Sequence, residues 1–285
     1  MKKLLAAILL CAALGAALSG CASVFDKEYL SVTTFPESTT SPAADGATAV
    51  RSYLDLKLAI NSLVTAHSES GTLDFSNYNS ASISDDLAAA TKEVSTETAL
   101  GAYAVDYISY DLDRIAGYYE AEVYVYYRRT AEEVEAIVSE STVSGLREAI
   151  KAALEGLETE LVVMVSASGA SEDEVAGYVT EAYYASPLSC VVRPRTEVVM
   201  YSGGGLQRIY EIGLDYGFET AALEEMKPVL ESELAELTAR VSSQSKPHRA
   251  LQAATVLTEQ CAHDEAVGSS IWAAIHGGAA NSEGM

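Results

Sequence analysis

The residues nearest to a catalytic pattern lie in the C-terminal segment. Residues 271–275 form an apolar stretch, Gly277 and Gly278 break it, and Ser282 stands where a new helix would begin. A nucleophile at a helix N-terminus feels the positive end of the helix dipole, which lowers the pKa of a cysteine thiol. A serine hydroxyl has a much higher pKa, so Ser282 would depend on a neighbouring base. Serine is also a preferred N-cap residue, and this simpler role is the alternative prediction for Ser282.

The same segment, residues 245–285, resembles the start of the catalytic core of bacterial transglutaminase-like proteins, which have a papain-like fold. His263-Asp264 stands where that family has a Tyr-Asp pair, and Ser282 stands at the position of its nucleophilic cysteine. Three small residues keep the family spacing: Gly278, Ala279 and Gly284. The resemblance implies a Cys-His-Asp arrangement that acts on peptide or isopeptide bonds. Because serine replaces the cysteine and the sequence stops before the His and Asp of the family, we expect an incomplete core without activity.

The N-terminus has the pattern of a bacterial lipoprotein signal. Lys2 and Lys3 form a positive start, residues 4–14 are apolar but too few to span a bilayer, and Leu18-Ser-Gly-Cys21 matches the lipobox. We therefore expect residues 1–20 to be a signal peptide and Cys21 to carry the lipid, such as palmitate. The chain would be held at the extracytoplasmic face of the cell membrane. An ordinary secretory signal with a chance cysteine, or an uncleaved anchor, are the alternatives.

Composition narrows the classes of partner and cofactor. The net charge of −23 repels nucleic acid and anionic lipid, so neither is an expected partner. After processing, Cys190 and Cys261 remain, and their spacing does not imply a disulfide, so buried free thiols are predicted. The four histidines have no ligand spacing: His67, His248, His263 and His276. No metal and no cofactor is predicted.

Sequence patterns divide the mature chain into four parts. Residues 21–48 are rich in Ser, Thr and Pro and predict a tether. Residues 49–140 and 141–219 each follow the order α-β-α-β-β, with a β-hairpin at the end, so we predict an α+β fold with a duplicated unit. Residues 220–285 predict C-terminal helices that begin the transglutaminase-like core.

Particular residues mark the predicted elements. Helix starts are predicted at Ser52, at Ser144 and at the capping boxes of Thr130 and Ser171; the helix from Thr130 is expected to reach Val138. The hairpins are predicted over residues 103–127 and 195–215. Pro228 is expected to kink a helix or to stand in the first turn of a new one. A final amphipathic helix over residues 248–261 is expected to place Leu251, Ala254, Val256 or Leu257, and Cys261 on one side.

Two features of the hairpins could bind ligands. Ser202-Gly-Gly-Gly205 could be taken for a phosphate loop, but no Lys-Ser/Thr and no helix follow it, so a flexible hairpin tip is predicted. The tyrosines of residues 103–127 alternate along the chain, so we expect half of them in the core and the other half on a surface that could bind a ligand.

Three functions fit these patterns. The first is an inactive lipoprotein of the transglutaminase-like superfamily. The second is a binding or scaffold lipoprotein whose duplicated units contact cell-wall or extracellular peptide or glycan through exposed tyrosines. The third is a structural surface protein without a defined ligand, which sequence does not separate from the second.

Overall fold

The computed structural model describes residues 46–268 and 270–281. The predicted signal peptide, Cys21, nearly all of the tether and Ser282 lie outside the described residues. Within them the fold is α+β, as predicted, and contains two four-stranded sheets and one two-stranded sheet. None of the described helices is both long enough and apolar enough to cross a membrane.

The first half of the fold packs two helices on one face of a four-stranded sheet. Its elements are β1 (Thr48–Ala49), α1 (Tyr53–Thr65), β2 (Ser70–Asp74), α2 (Ile83–Glu97), α3 (Ala99–Ala104), β3 (Val105–Ile115) and β4 (Tyr118–Tyr127). The strand order is β1-β2-β4-β3, with β1 parallel to β2 and the other pairs antiparallel. Ser52 begins α1 by accepting a hydrogen bond from the N–H of Asp55. Leu56, Ile60 and Val64 follow at helical spacing and are fully buried.

The second half repeats this topology. Its elements are α4 (Ala131–Glu135), β5 (Val138–Glu140), α5 (Val143–Glu155), β6 (Glu160–Val165), α6 (Glu172–Ala185), β7 (Arg195–Ser202) and β8 (Arg208–Asp215). The strand order is β5-β6-β8-β7, and the pair orientations are those of the first sheet. The capping boxes predicted at Thr130 and Ser171 are both present. The duplicated order α-β-α-β-β is therefore observed, with the short helix α3 added before the hairpin of the first copy, and a short parallel strand precedes each copy.

The two halves also match residue by residue over their first elements. Ser52 and Thr142 are the N-caps of α1 and α5. After these helices, His67 and Leu157 both adopt left-handed backbone angles, with φ of 49° and 55°. Ser52 and His67 are separated by the same number of residues as Thr142 and Leu157, so neither copy has an insertion in this region.

Three local predictions differ from the structure. The helix from Thr130 ends at Glu135, and Val138 instead begins β5, because it pairs in parallel with β6. Thr142, not Ser144, caps α5. Tyr103 lies in the short helix α3 rather than in a strand, since Thr98 caps the good helix-forming sequence that follows. In these three places, pairing with distant segments or local capping decided the structure, and the sequence pattern did not.

The C-terminal segment packs on the second half. Its elements are α7 (Thr220–Ala239), α8 (Lys246–Gln260), β9 (Ala262–His263), α9 (Ile271–Ile275) and β10 (Ala279–Ala280). Helix α7 continues through Pro228 rather than restarting there. In α8 only Val256 is buried and Leu251 is exposed, so the predicted apolar side of this helix is largely uncovered. Ile271 donates its N–H to the hydroxyl of Tyr183, which ties α9 to α6.

Candidate functional site

The C-terminal residues that resemble a catalytic pattern have structural contacts. His263 pairs through Nε2 with Glu265 at 2.9 Å, and both side chains are more than half exposed. The backbone N–H of Asp264 donates to the carbonyl of Ala280 at 2.9 Å. The Asp264 carboxylate accepts from the N–H of Ala266, so it stabilises a turn.

His276 and Cys261 also have partners of their own. His276 Nδ1 lies 2.8 Å from Glu233 and its ring stacks on Trp272 at 4.1 Å. Cys261 is buried, and its thiol lies 3.7 Å from the carbonyl of Ala262. Among the described residues, no contact therefore joins a histidine to a cysteine thiol.

Cys190 is a buried thiol in the core of the second half. Burial raises its pKa to about 11, so the thiol is protonated near neutral pH and is a weak nucleophile. Cys190 and Cys261 are both buried and unpaired, which confirms the prediction of free thiols.

The glycine run at the tip of the β7–β8 hairpin is packed against the first half. A side chain on Gly203 would place its Cβ 1.9 Å from the carbonyl oxygen of Glu97. Gly204 donates its N–H to that same oxygen at 2.9 Å. The predicted flexible tip is therefore a contact between the two halves, which the missing side chain permits.

Alternate side chains of β3 and β4 point to opposite faces of the first sheet. One face packs on α1 and α2, and the second face lies on the opposite side. Ala121, Val123 and Val125 point into the core. Because successive side chains of a strand point to opposite sides, the residues between them point away from these helices. We call this second side the outer face of the first sheet.

One end of the outer face is aromatic. Tyr107 and Tyr126 are directly opposite in the β3–β4 register, and their rings stack with centroids 4.2 Å apart. They are 50% and 45% exposed, so the stacked pair is presented to solvent. Tyr124 lies in the next row, and the neighbouring Glu122 carboxylate raises the pKa of its hydroxyl. The tyrosine pattern thus divides as predicted, because Tyr110, Tyr119 and Tyr127 pack on the core instead.

The other end of the outer face is acidic. Asp111 lies directly opposite Glu122, and Asp113 lies directly opposite Glu120. Like charges in directly opposed cross-strand positions destabilise a sheet. In the described part of the chain, no Lys, Arg or His forms an ion pair with any of these four carboxylates.

The equivalent face of the second sheet is covered in part. Helix α3 of the first half packs on β7 and β8, where Tyr103 and Ile209 are buried together. Tyr103 also meets Tyr201 of β7 in an edge-to-face contact, with ring centroids 5.2 Å apart. The second sheet therefore uses this face for an apolar contact with the other half.

Arg129 also contacts the covered part of this face. Nη2 of Arg129 lies 2.7 Å from each carboxylate oxygen of Glu211 on β8. The hydroxyl of Tyr201 donates to the same carboxylate at 2.7 Å. The guanidinium carbon of Arg129 lies 4.7 Å from the centre of the Tyr103 ring. Glutamate, tyrosine and arginine thus form one partly buried cluster between the halves.

A shallow cleft of about 720 Å³ lies beside α4, α5 and β6. Its walls carry five carboxylates: Glu133, Glu140, Glu148, Glu158 and Glu160. Its other lining residues are alanine, valine, leucine and Tyr103, so the cleft offers no Ser, Cys or His nucleophile. This surface too favours cations over anions.

Sequence reasoning identified the exposed tyrosines but missed the carboxylates beside them. The sequence contains a signal for these carboxylates, because acidic and apolar residues alternate along both strands. The acidic residues are Asp111, Asp113, Glu120 and Glu122. The strand register is what places them opposite each other. Within residues 46–268 and 270–281, no group of three acidic, His or Cys side chains is arranged to hold a metal ion.

Comparisons of the chain with protein-family models, curated proteins and solved structures find no match. The relationship to transglutaminase-like proteins therefore stays a prediction from residues 245–285.

Proposed function

We propose that this chain is a binding protein held at the outer surface of the cell membrane, with the outer face of the first sheet as its ligand surface. One observation carries the proposal. The two sheets have the same topology, yet α3 and Arg129 cover the part of the second sheet's outer face that holds Ile209 and Glu211, while the first sheet exposes opposed carboxylates beside a stacked tyrosine pair. Exposed aromatic side chains next to polar groups are typical of recognition surfaces.

Binding is favoured over catalysis by the contacts of the reactive groups. Cys190 is buried and protonated, and Cys261 is buried against Ala274 and Ala280 with its thiol directed to a backbone carbonyl. His263 and His276 pair with glutamates. The ligand that we propose is a peptide or glycan of the cell wall or of an extracellular protein, and the acidic character of the chain disfavours nucleic acid.

The binding proposal is tested by removing the stacked pair. Purified full-length protein in neutral detergent would be mixed with cell-wall fragments and with a library of extracellular peptides. We expect Tyr107→Ala with Tyr126→Ala to abolish retention of the ligands that the wild type retains. Tyr184→Ala, at an exposed tyrosine on α6, is the matched control and should retain them. Equal retention by the double variant and the control would contradict the proposal.

The membrane anchor rests on the lipobox that ends at Cys21. Metabolic labelling with a fatty-acid analogue should label the wild type and not Cys21→Ser. Labelling of the variant, or no labelling of the wild type, would contradict lipidation at this residue.

The transglutaminase-like relationship is a separate proposal that rests on the C-terminal resemblance. It has Ser282 at the nucleophile position and predicts no amide hydrolysis by this chain. Turnover that is abolished by Ser282→Ala would overturn the expected inactivity.

A further inference from the structure

Strand register makes Glu122 of the first sheet equivalent to Glu211 of the second. The first residue of β1 pairs with Leu73, and the first residue of β5 pairs with Val163. Leu73 in turn pairs with Ala121, and Val163 pairs with Tyr210. The residues that follow, Glu122 and Glu211, therefore occupy the same position on the outer faces of the two sheets.

The second sheet shows what this position can bind. Both carboxylate oxygens of Glu211 contact one nitrogen of Arg129, and the hydroxyl of Tyr201 donates to the same carboxylate. The side chains of Arg129 and Glu211 are only 22% and 19% exposed, so the pair is largely removed from water. A charge-assisted contact of this kind, with an aromatic ring against the guanidinium, is among the stronger polar contacts in proteins.

The first sheet has the equivalent glutamate without the cation, and its acidic and aromatic neighbours differ from those of Glu211. Glu122 has Tyr124 beside it, since the two residues are alternate positions on the same face of β4. Asp111 lies directly opposite Glu122, and the row of Glu120 and Asp113 follows about 7 Å along the strands. A bound cation would relieve the repulsion between these opposed carboxylates, whereas an anionic or neutral partner would not.

The equivalent positions of a second copy of this chain offer no free arginine. Arg129 of any copy is already held by Glu211. Phe218 follows Glu211 at the same separation as Arg129 follows Glu122. Phe218 carries no charge. The equivalent positions of a second copy therefore supply no cation, and the net charge of −23 disfavours association of two copies, so a different, basic protein fits this face better.

We propose that the outer face of the first sheet binds an arginine-bearing segment of a partner protein, with the guanidinium on Glu122 and the stacked pair of Tyr107 and Tyr126 against its apolar part. This inference rests on the proposed binding function and specifies its partner. Arginine is preferred to lysine because its planar group can address Glu122 and Asp111 together and can stack on tyrosine. The partner segment is a basic peptide, and neutral glycans are excluded from this subsite.

The test uses full-length protein in neutral detergent and three capped peptides. In these peptides alanine alternates with arginine, with lysine or with citrulline, which keeps the shape of arginine but has no charge. Isothermal titration calorimetry should give binding of the arginine peptide, weaker binding of the lysine peptide and none of the citrulline peptide. Glu122→Gln should raise the Kd of the arginine peptide about tenfold at low salt. Glu236→Gln, at an exposed carboxylate of α7, should change it less than about twofold.

Folding of the variant is checked separately. Glu122→Gln removes one of two opposed charges, so its thermal unfolding midpoint should equal or exceed that of the wild type. A loss of binding together with retained stability would support the proposal. Equal effects of Glu122→Gln and Glu236→Gln, or equal binding of the arginine and citrulline peptides, would overturn it.

The two proposals can fail separately. If the arginine peptide does not bind but the double tyrosine variant loses retention of cell-wall or peptide ligands, the arginine inference is wrong and the binding function stands. If both experiments are negative, the outer face is not a ligand surface.

Discussion

Tyrosines at equivalent positions of the two halves have different surroundings. Tyr127 and Tyr216 follow Glu122 and Glu211 at the same separation. The hydroxyl of Tyr127 lies 3.0 Å from the carbonyl of Leu63 and 2.9 Å from that of Ser68. The hydroxyl of Tyr216 is buried and has no hydrogen-bond partner among the described residues. The same residue type therefore stabilises one half and is under-satisfied in the other.

The first prediction compares the two hydroxyl groups. Tyr127→Phe should lower the free energy of unfolding by about 1 kcal/mol, because it removes a made hydrogen bond. Tyr216→Phe should leave it unchanged or raise it, because it removes a buried hydroxyl without a partner. Urea unfolding followed by circular dichroism measures both. Equal losses in the two variants would contradict this assignment.

The second prediction concerns Cys190. Because burial raises the pKa of its thiol to about 11, the folded state favours the protonated form. The resulting stability is complete below the thiol pKa of the unfolded chain, about 8.5, and is lost as the pH rises towards 11. Buried tyrosines act in the same direction, since the pKa of Tyr103 and of Tyr183 is raised to about 12.

We therefore expect the unfolding free energy to fall between about pH 8.5 and pH 11. At pH 8 a thiol-alkylating reagent should modify Cys190 slowly in the native protein and rapidly in denaturant, as followed by mass spectrometry of peptides. Native alkylation as fast as that in denaturant would show that the thiol is accessible.

At the scale of elements, the glycines of the β7–β8 hairpin allow its tip to pack against α2 and do not make the tip flexible. Gly203 faces the carbonyl of Glu97 at the end of α2, whereas nothing lies within 4 Å of a side chain added at Gly204. The two adjacent glycines thus provide a matched pair for a third prediction.

Gly203→Ala should lower the free energy of unfolding by about 1–3 kcal/mol, because its Cβ overlaps a backbone oxygen that cannot easily move. Gly204→Ala should have little effect, because its side chain meets open space and its N–H still donates to Glu97. Urea unfolding of both variants makes the comparison. A similar change in the free energy of unfolding of both variants would mean that the hairpin tip is not tightly packed against α2.

At the scale of the whole molecule, the two halves share a topology but use their outer faces differently. The second sheet is joined to the first half through α3 and through the cluster of Arg129, Glu211 and Tyr201. Among the described residues, Tyr107 and Tyr126 on the corresponding face of the first half stay about half exposed, and this is the surface that we propose for the partner.

The fourth prediction tests the contribution of that cluster. Arg129→Ala should lower the free energy of unfolding by about 2 kcal/mol, because it leaves Glu211 partly buried without its cation. Arg195→Ala is the matched control, since Arg195 pairs with Asp215 at 2.8 Å while 86% of its side chain is exposed. It should cost less than about 0.5 kcal/mol. Comparable losses at the two sites would mean that Arg129 adds nothing beyond a surface ion pair.

The order of elements could be predicted because its signals are local. The capping boxes at Thr130 and Ser171 and the alternation of residues 118–127 depend on backbone hydrogen bonds and side-chain periodicity within a few residues. The same alternation divided the tyrosines correctly into those of the core and those of the surface. The charge and the lipobox likewise belong to the sequence itself, and they alone carry the predicted location.

The covering of each sheet depended on tertiary structure. The sequence pattern of a strand is similar whether its second face meets water or another half of the molecule, so it did not distinguish the outer face near Glu122 from that near Glu211. Val138 joined the second sheet and Tyr103 entered a helix for the same kind of reason, since their contacts come from distant segments. The sequence by itself determined which residues alternate and where helices begin. Only long-range packing decided which carboxylate received an arginine and which remained exposed, because those contacts join residues far apart in the chain.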